Sequence, residues 1–470
     1  MSIDSPATIE NRTFEEIGVG DSASITRQLT PDDMQLLAIV TGDADPEGVD
    51  PGDAAGDGAH RAVTHGLWGS GLISAVLGTE LPGPGTDYRD QTLHFARPVL
   101  PGDTITATVT VIAKQEAGRL VTLDCRCTNR KGEEVIGGTA QVTAPPGKIR
   151  RARMGLPEVR LVRHAHYRAL LAQAGGGDPL PAAIAHPCDP AAIAAVADAA
   201  GAGLIAPVLV GPEARIKAAA EAAGADISRL PIMAVPHSHA AAERAAAMVA
   251  KGEAKLLMKG SLHTDELMSA VLAPAAGLAT GRRVSHVYMI DAPGYPRPLL
   301  ITDAAINIDP TLEDKADIIR NAIDLAHVIG CETPRVAILA AVETVNPRMR
   351  STLDAAALCK MADRGQISGG LLDGPLALDN AISEAAAREK GIVSPVAGRA
   401  DILLVPNLEA GNMIAKQLII MDGADAAGVV LGARVPIILT SRADSVRTRL
   451  ASTALAVLLA RAGTKAAPGV

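Results

Sequence analysis

The sequence predicts a multi-domain protein, an N-terminal α+β unit followed by a larger α/β unit. Three observations lead there. The chain has 470 residues, and length divided by about 150 suggests roughly three structural units. Period-two alternation of polar and apolar residues dominates positions 86–143, with one strongly apolar helical stretch before it. Beyond about residue 160 the texture changes to short apolar runs alternating with alanine-rich helical stretches, the pattern of parallel α/β layers.

In the first unit, Thr104 to Val111 reads T-I-T-A-T-V-T-V, a strand with one polar and one apolar face. Val121, Leu123, Cys125 and Cys127 repeat the pattern, and E-A-G at 116–118 and N-R-K-G-E-E at 129–134 supply the turns of an antiparallel meander. Residues 62–78 (AVTHGLWGSGLISAVLG) are apolar around most of a helical circumference, so a sheet wrapped about a buried helix is expected. The alternation stops near Pro145-Pro146-Gly147. The expected boundaries are a domain at 1–145, a basic linker at 146–163 and a second domain at 164–470.

Composition narrows the functional classes. Apolar residues make up 48% of the chain but only seven residues are aromatic, which argues against base-stacking nucleic-acid surfaces. The net charge of −8 is uneven: residues 1–145 carry 21 acidic against 10 basic side chains, and 146–165 carry six basic against one acidic, read as a solvated linker. Five cysteines without a C-x-x-C pair suggest neither a disulfide framework nor a zinc site, and Cys188 has no activating base at a recognisable spacing. The acidic N-terminus has no apolar segment and no apolar run approaches 18 residues, so a cytoplasmic protein with no membrane partner is expected.

Candidate chemistry gathers at the ends of apolar runs: KGSLHT at 259–264, TDAAINIDP at 302–310, VPNLEAGNMIAK at 405–416 and TSRADS at 440–445. Loops at the C-terminal ends of parallel strands are where such folds place ligands. Ser441 and Arg442 fall between the run VPIILTS and a helical stretch. Free N–H groups and the helix dipole at that turn favour an anion, and a guanidinium adds bidentate donors. Taken alone, the turn is better read as a serine helix cap with a surface arginine, because capping serines are common. Asp303, Asn307 and Asp309 follow LLIT and fit either cleft lining or loop capping; with no second carboxylate cluster, no metal is expected. Glu343, Asn346, Asn380, Glu409 and Lys416 are second-tier candidates on other loops.

Together the four motifs, from about His164 to the C-terminus, resemble the phosphate acetyltransferases and phosphate butyryltransferases. The resemblance implies a two-lobed α/β fold like that of isocitrate and isopropylmalate dehydrogenases. It also implies transfer of an acetyl or butyryl group between coenzyme A and phosphate, in a homo-oligomer without a tightly bound cofactor. By resemblance Arg442 holds phosphate and Ser441 the reacting thioester, while Lys259, Ser261, His263, Thr264, Asp303, Asn307, Asn407 and Asn412 line the substrate cleft. The acetyltransferase branch has an acidic residue six positions after the arginine; here that position is Thr448, and the S-R-x-D-S spelling is closer to the butyryltransferase branch. A metal-dependent NAD(P) dehydrogenase of the same fold is the competing reading, and no G-x-G-x-x-G opens a β-α unit to support it.

TGDADPEGVDPGDAA at 41–55 and HGLWGSGLISAVLGTELPGPGT at 65–86 resemble the MaoC-like, (R)-specific enoyl-CoA hydratases, which have the hotdog fold. That family's pattern is G-D-x-N-P-x-H. Gly42, Asp43 and Pro46 align with it, Asp45 takes the Asn position and Gly48 the His position. Glycine moves no proton, and losing half of an acid–base pair costs about 10²–10⁴ in rate. The order of the two regions resembles the bifunctional enoyl-CoA hydratase/phosphate acetyltransferase fusions. The expectation is an acyltransferase with a hydratase-like remnant; the alternative is a fully bifunctional enzyme in which His60 or His65 stands in.

Overall fold

The computed structural model describes residues 8–43, 58–156, 159, 164–440 and 444–466, the side chains of 58–66 and 464–466 excepted. The chain divides into two units, Met1–Leu161 and Val162–Val470.

The first unit holds strands β1 (Thr8–Glu10), β2 (Ser22–Gln28), β3 (Asp87–Phe95), β4 (Thr104–Gln115), β5 (Leu120–Thr128), β6 (Glu134–Thr143) and β7 (Arg150–Ala152), with helices α1 (Pro31–Thr41) and α2 (Gly58–Thr79). Five strands form an antiparallel sheet in the order β2-β4-β5-β6-β3. Alternation along β4 sends Ile105, Ala107, Val109 and Val111 inward, where they join Leu72, Ile73, Val76 and Leu77 of α2 in one core. The expected sheet around a buried helix is present, but not as a simple meander. β3 precedes β4 in the chain yet pairs beyond β6, with Phe95 opposite Ile136. The edge strand β2, SASITRQ, is largely exposed and polar, and so carries no apolar signal in the sequence.

The basic stretch expected as a linker from 146 begins inside this unit. Arg150–Ala152 pairs antiparallel with Thr8–Glu10. Lys148 Nζ donates to Glu16 (2.8 Å) and pairs with Glu10 (3.0 Å), and the Asn11 side chain accepts from the Ile149 N–H at 2.7 Å. Opposite charge and the free edge of the first strand draw the segment in.

The second unit contains β8 (Leu180–Ala185), β9 (Ile205–Gly211), β10 (Ile232–Ala234), β11 (Leu256–Lys259), β12 (Ser285–Asp291), β13 (Leu299–Thr302), β14 (Arg335–Leu339), β15 (Leu371–Leu376), β16 (Ile402–Leu404), β17 (Asp425–Leu431) and β18 (Ile437–Ile438). Its helices are α3 (Ala165–Ala174), α4 (Pro190–Gly201), α5 (Glu213–Ala223), α6 (Ser238–Ala250), α7 (Thr264–Leu272), α8 (Leu312–Val328), α9 (Arg350–Asp363), α10 (Leu378–Ile382), α11 (Glu384–Glu389), α12 (Leu408–Ile420) and α13 (Val446–Ala466). The strands form one sheet in the order β10-β9-β8-β11-β18-β17-β12-β13-β16-β14-β15. Both faces are covered: Ala182 and Ile184 of β8 enter one core, Ala183 and Ala185 another.

The sheet is mixed rather than uniformly parallel. β10, β9, β8, β11 and β18 run one way and β13, β16, β14 and β15 run the other, with β17 and β12 antiparallel between them. Apolar runs buried on both faces carry no mark of strand direction, which is why the reversal is invisible in the sequence. Ile438, Val429, Val287 and Thr302 occupy one cross-strand row, so β18 and β13 end level with each other while pointing in opposite senses. No helix among the described residues is long and apolar enough to cross a membrane.

Candidate active site

In the first parallel block the chain winds from β8 outward through β9 to β10, then returns to place β11 on the other side of β8. The winding reverses between β8 and β11, and an open α/β sheet forms its ligand crevice at such a point. The loops after these two strands meet there. The Gly260 N–H donates to the Ala185 carbonyl and the Ser261 N–H to the His186 carbonyl, each at 2.8 Å. A Cβ on residue 260 would lie 2.4 Å from the His186 oxygen and 2.5 Å from that of Ala185, so only glycine permits this approach. Ser261 closes the junction: its hydroxyl donates to the His186 carbonyl (2.9 Å), accepts from the Cys188 N–H (3.1 Å) and lies 3.2 Å from His186 Nδ1.

Beside this junction lies a narrow crevice of about 10 Å³, bounded by Asp189 and Ala192 of the α4 start, Lys259 and Gly260, Thr440 after β18, and Arg449 of α13. Lys259 is 9% exposed and Arg449 7%. Lys259 Nζ donates to the Leu262 carbonyl (3.2 Å) and Arg449 Nε to the Asp444 carbonyl (3.2 Å). Asp189 caps α4, accepting from the Ala192 N–H at 2.9 Å. Two buried cations, the start of α4 and the Asp189 carboxylate that caps it thus border one crevice.

The TSRADS turn is described only at its ends. Ser441 and Arg442 lie outside the described residues, as does Gly48 of the first unit. Ser445 caps α13, its hydroxyl accepting from the Thr448 N–H (3.1 Å) and lying 3.0 Å from the Thr448 hydroxyl. Thr448 is buried in that first turn and completes the cap. Asp43 follows the left-handed Gly42 that ends α1 and donates its N–H to the Ala38 carbonyl at 3.0 Å; His60 and His65 lie on α2.

The remaining expected residues divide by location. His263 sits exposed at the N-cap position of α7 without a side-chain cap bond, and Thr264 begins the helix. Asp303 and Asn307 are buried, with Asp303 bonded within its own loop and Asn307 also accepting from Arg283 Nε at 2.6 Å. The Asp303 carboxylate accepts from the N–H groups of Ala305 (2.9 Å), Ile306 (3.0 Å) and Asn307 (3.1 Å) and from the Asn307 amide, whose Nδ2 also donates to the Val284 carbonyl (2.9 Å). Asn407 caps α12 through the Ala410 N–H (3.0 Å), and Asn412 donates to the Ala304 carbonyl (3.2 Å). The motifs at 302–310 and 405–416 therefore pack on each other.

Glu343 accepts from Asn380 and Lys390, and the Lys390 contact holds its carboxyl below the usual range. Asn346 serves its own turn, accepting from the Arg348 N–H at 3.0 Å.

The Tyr288 phenol feels Asp444 on one side, and His286 feels Asp303 on the other. His186, Arg449 and His286 were not singled out in the sequence. A signal for His186 existed, since H-P-C-D-P ends the first apolar run; Arg449 is hidden within helical periodicity. Among the described residues no group of three or more His, Cys, Asp or Glu side chains is placed to hold a metal.

The mixed sheet with a crevice at its switch point is the architecture of an α/β enzyme. Residues 237–457 match the family described as Phosphate acetyl/butaryl transferase, and residues 14–128 match the MaoC like domain. The chain is 60% identical to a phosphate acetyltransferase of Rhizobium meliloti over 63% of this chain and 93% of that protein. It is 44% identical to a phosphate butyryltransferase of Clostridium acetobutylicum over 59% of this chain and 92% of that protein. A crystal structure of a branched-chain phosphotransacylase from Enterococcus faecalis V583 superposes with a TM-score of 0.53 at 29% identity, covering 60% of this chain and 99% of that one. The chain belongs to the phosphate acetyltransferase and butyryltransferase family of acyltransferases, with a MaoC-like hotdog domain at its N-terminus.

Proposed function

We propose that the second unit moves a short acyl group, acetyl or butyryl, between coenzyme A and inorganic phosphate. The observation that carries this reading is the crevice at the β8/β11 switch point with buried Lys259 and Arg449 on its walls. Phosphate is already an adequate nucleophile, so holding it against the thioester carbonyl and stabilising charge supply most of the acceleration. Lys259 and Arg449 hold the anion, with Arg442; Ser441 bonds the thioester; Ser261 fixes the loop after β11; His263, Thr264, Asn407 and Asn412 are candidate substrate contacts. No tightly bound cofactor is needed.

The test is phosphate-dependent release of free thiol from acetyl- and butyryl-CoA by the full-length protein. No release from any short acyl-CoA would end this reading.

The N-terminal unit, on the same reading, binds an acyl-CoA without hydrating it, because Gly48 supplies no side chain to move a proton. Hydration of crotonyl-CoA by the whole protein at a rate above background would instead make it bifunctional. The reading also has the enzyme working in the cytoplasm as a homo-oligomer, which sedimentation of the purified protein checks.

A further inference from the structure

A second opening in the second unit lies apart from the switch-point crevice and shares no lining residue with it. It is a groove of about 640 Å³ between α6 and α7, inside the range of about 300–1,000 Å³ usual for small-molecule sites. Seven alanines of α6, α7 and the turn that follows line it, and their methyl groups leave open a volume that larger side chains would fill. The core beneath sets these walls: Ala246 is 2% exposed and belongs to it, while Ala270 and Ala276 pack on the same cluster.

Charge gathers at the two ends of the groove. His239, Glu243 and Glu266 stand at one, near the starts of both helices, and Lys251 at the other, just past the end of α6. The stretch from Glu243 to Lys251 covers about 12 Å of helix. Glu266 sets the chemistry of the acidic end. Its side chain lines the groove yet is only 9% exposed, and its Oε1 accepts no hydrogen bond among the described residues. His239 Nδ1 lies 2.6 Å away but out of line to donate, in a ring that is 77% exposed. The carboxylate is thus buried without the hydrogen bonds that offset its desolvation.

We propose that this groove binds an aliphatic ω-amino carboxylate, its ammonium on Glu266 and Glu243 and its carboxylate on Lys251. An ammonium brings three donors to two carboxylates, while the exposed His239 ring turns aside into solvent. The helix starts nearby carry about half a positive charge each, which two full negative charges outweigh. The alkyl body lies along the alanine methyls. A diamine would set its second ammonium against Lys251, and a fatty acid would set its carboxylate against the glutamates or leave Glu266 unmet. The inference is independent of the acyltransferase reading, because it uses none of the residues assigned to phosphate or thioester.

The test is calorimetric titration of the full-length protein with ω-aminooctanoate, with octanoate and α,ω-diaminooctane as comparators. The amino acid should bind at one site per chain, and each comparator about tenfold or more weakly. Glu266→Gln should weaken ω-aminooctanoate about 10- to 100-fold, the loss of a charge-assisted hydrogen bond. His239→Ala, which clears the competing ring, should keep the binding or tighten it. Should Glu266→Gln not fold, Ala247→Leu fills the groove and should abolish binding. No binding of ω-aminooctanoate by the wild type, binding unchanged in Glu266→Gln or Ala247→Leu, or octanoate bound as tightly overturns the proposal. So does self-association of the protein that Ala247→Leu removes, which would make the groove an interface between copies.

Discussion

Tyr288 stands edge-on to His286, with ring centroids 4.4 Å apart and planes at 72°, at the seam where the two parallel blocks of the second unit meet. Both His286 nitrogens are buried without a partner among the described residues, and the ring lies against Gly428, where a Cβ would come within 2.9 Å of Nε2. Burial pushes the imidazole down to about 4 and the Tyr288 phenol up to about 12, the nearby Asp444 adding to the latter.

The sign of the pH effect follows. The unfolded imidazole takes a proton near its ordinary value of 6.5, whereas the folded one resists until about 4. Its stability contribution is present above 6.5 and is lost as pH falls through that window, at up to about 1.4 kcal/mol per pH unit. Burial lowers His186 in the same direction. Denaturant midpoints measured at neutral and mildly acidic pH should fall less steeply for His286→Gln than for the wild type. Equal slopes would show that His286 is not the group responsible.

Gly260→Ala places a methyl group against two carbonyl oxygens. We expect a loss of about 1–3 kcal/mol, the range for overpacking, together with reduced turnover as the loops after β8 and β11 separate. A variant of unchanged stability and activity would mean the junction yields without cost.

Arg449→Gln removes one buried cation of the crevice while keeping much of its bulk. Loss of a charge-assisted hydrogen bond of about 1.5–3 kcal/mol corresponds to roughly a 10- to 100-fold rise in KM for phosphate. KM for the acyl-CoA should change much less. An equal rise in both would point to general distortion of α13.

Ser445→Ala removes the α13 cap and should cost about 1 kcal/mol, measured by thermal or denaturant unfolding. Thr448→Asp restores the acid of the acetyltransferase branch. With positioning and charge stabilisation supplying most of the acceleration, that substitution should give no gain in rate, and a gain of tenfold or more would give an acid–base role to the helix.

Much of the architecture is legible in the sequence where periodicity reports burial. Thr104 to Val111 alternates because one face of β4 meets α2, and residues 62–78 are apolar because a sheet surrounds them. The order of strands is not encoded in that way. β3 lies beside β6 through a tertiary pairing, and the reversal at β17 and β12 joins runs buried on both faces. At the site, Lys259 and Ser261 were readable because they end a strand. Asp303 ends one too, yet its side chain folds back on its own loop. Arg449 becomes visible only when three distant segments are brought to one crevice.

The pairing of Thr8–Glu10 with Arg150–Ala152 brings the two ends of the N-terminal unit side by side. That unit is thus a closed cassette, cut at its true seam only if the cut falls after 152; a version ending at 145 would leave its first strand with no mate. New ends opened at the 129–134 turn, with the old ones bridged, would preserve the five-stranded sheet, so the hotdog domain is a natural subject for circular permutation.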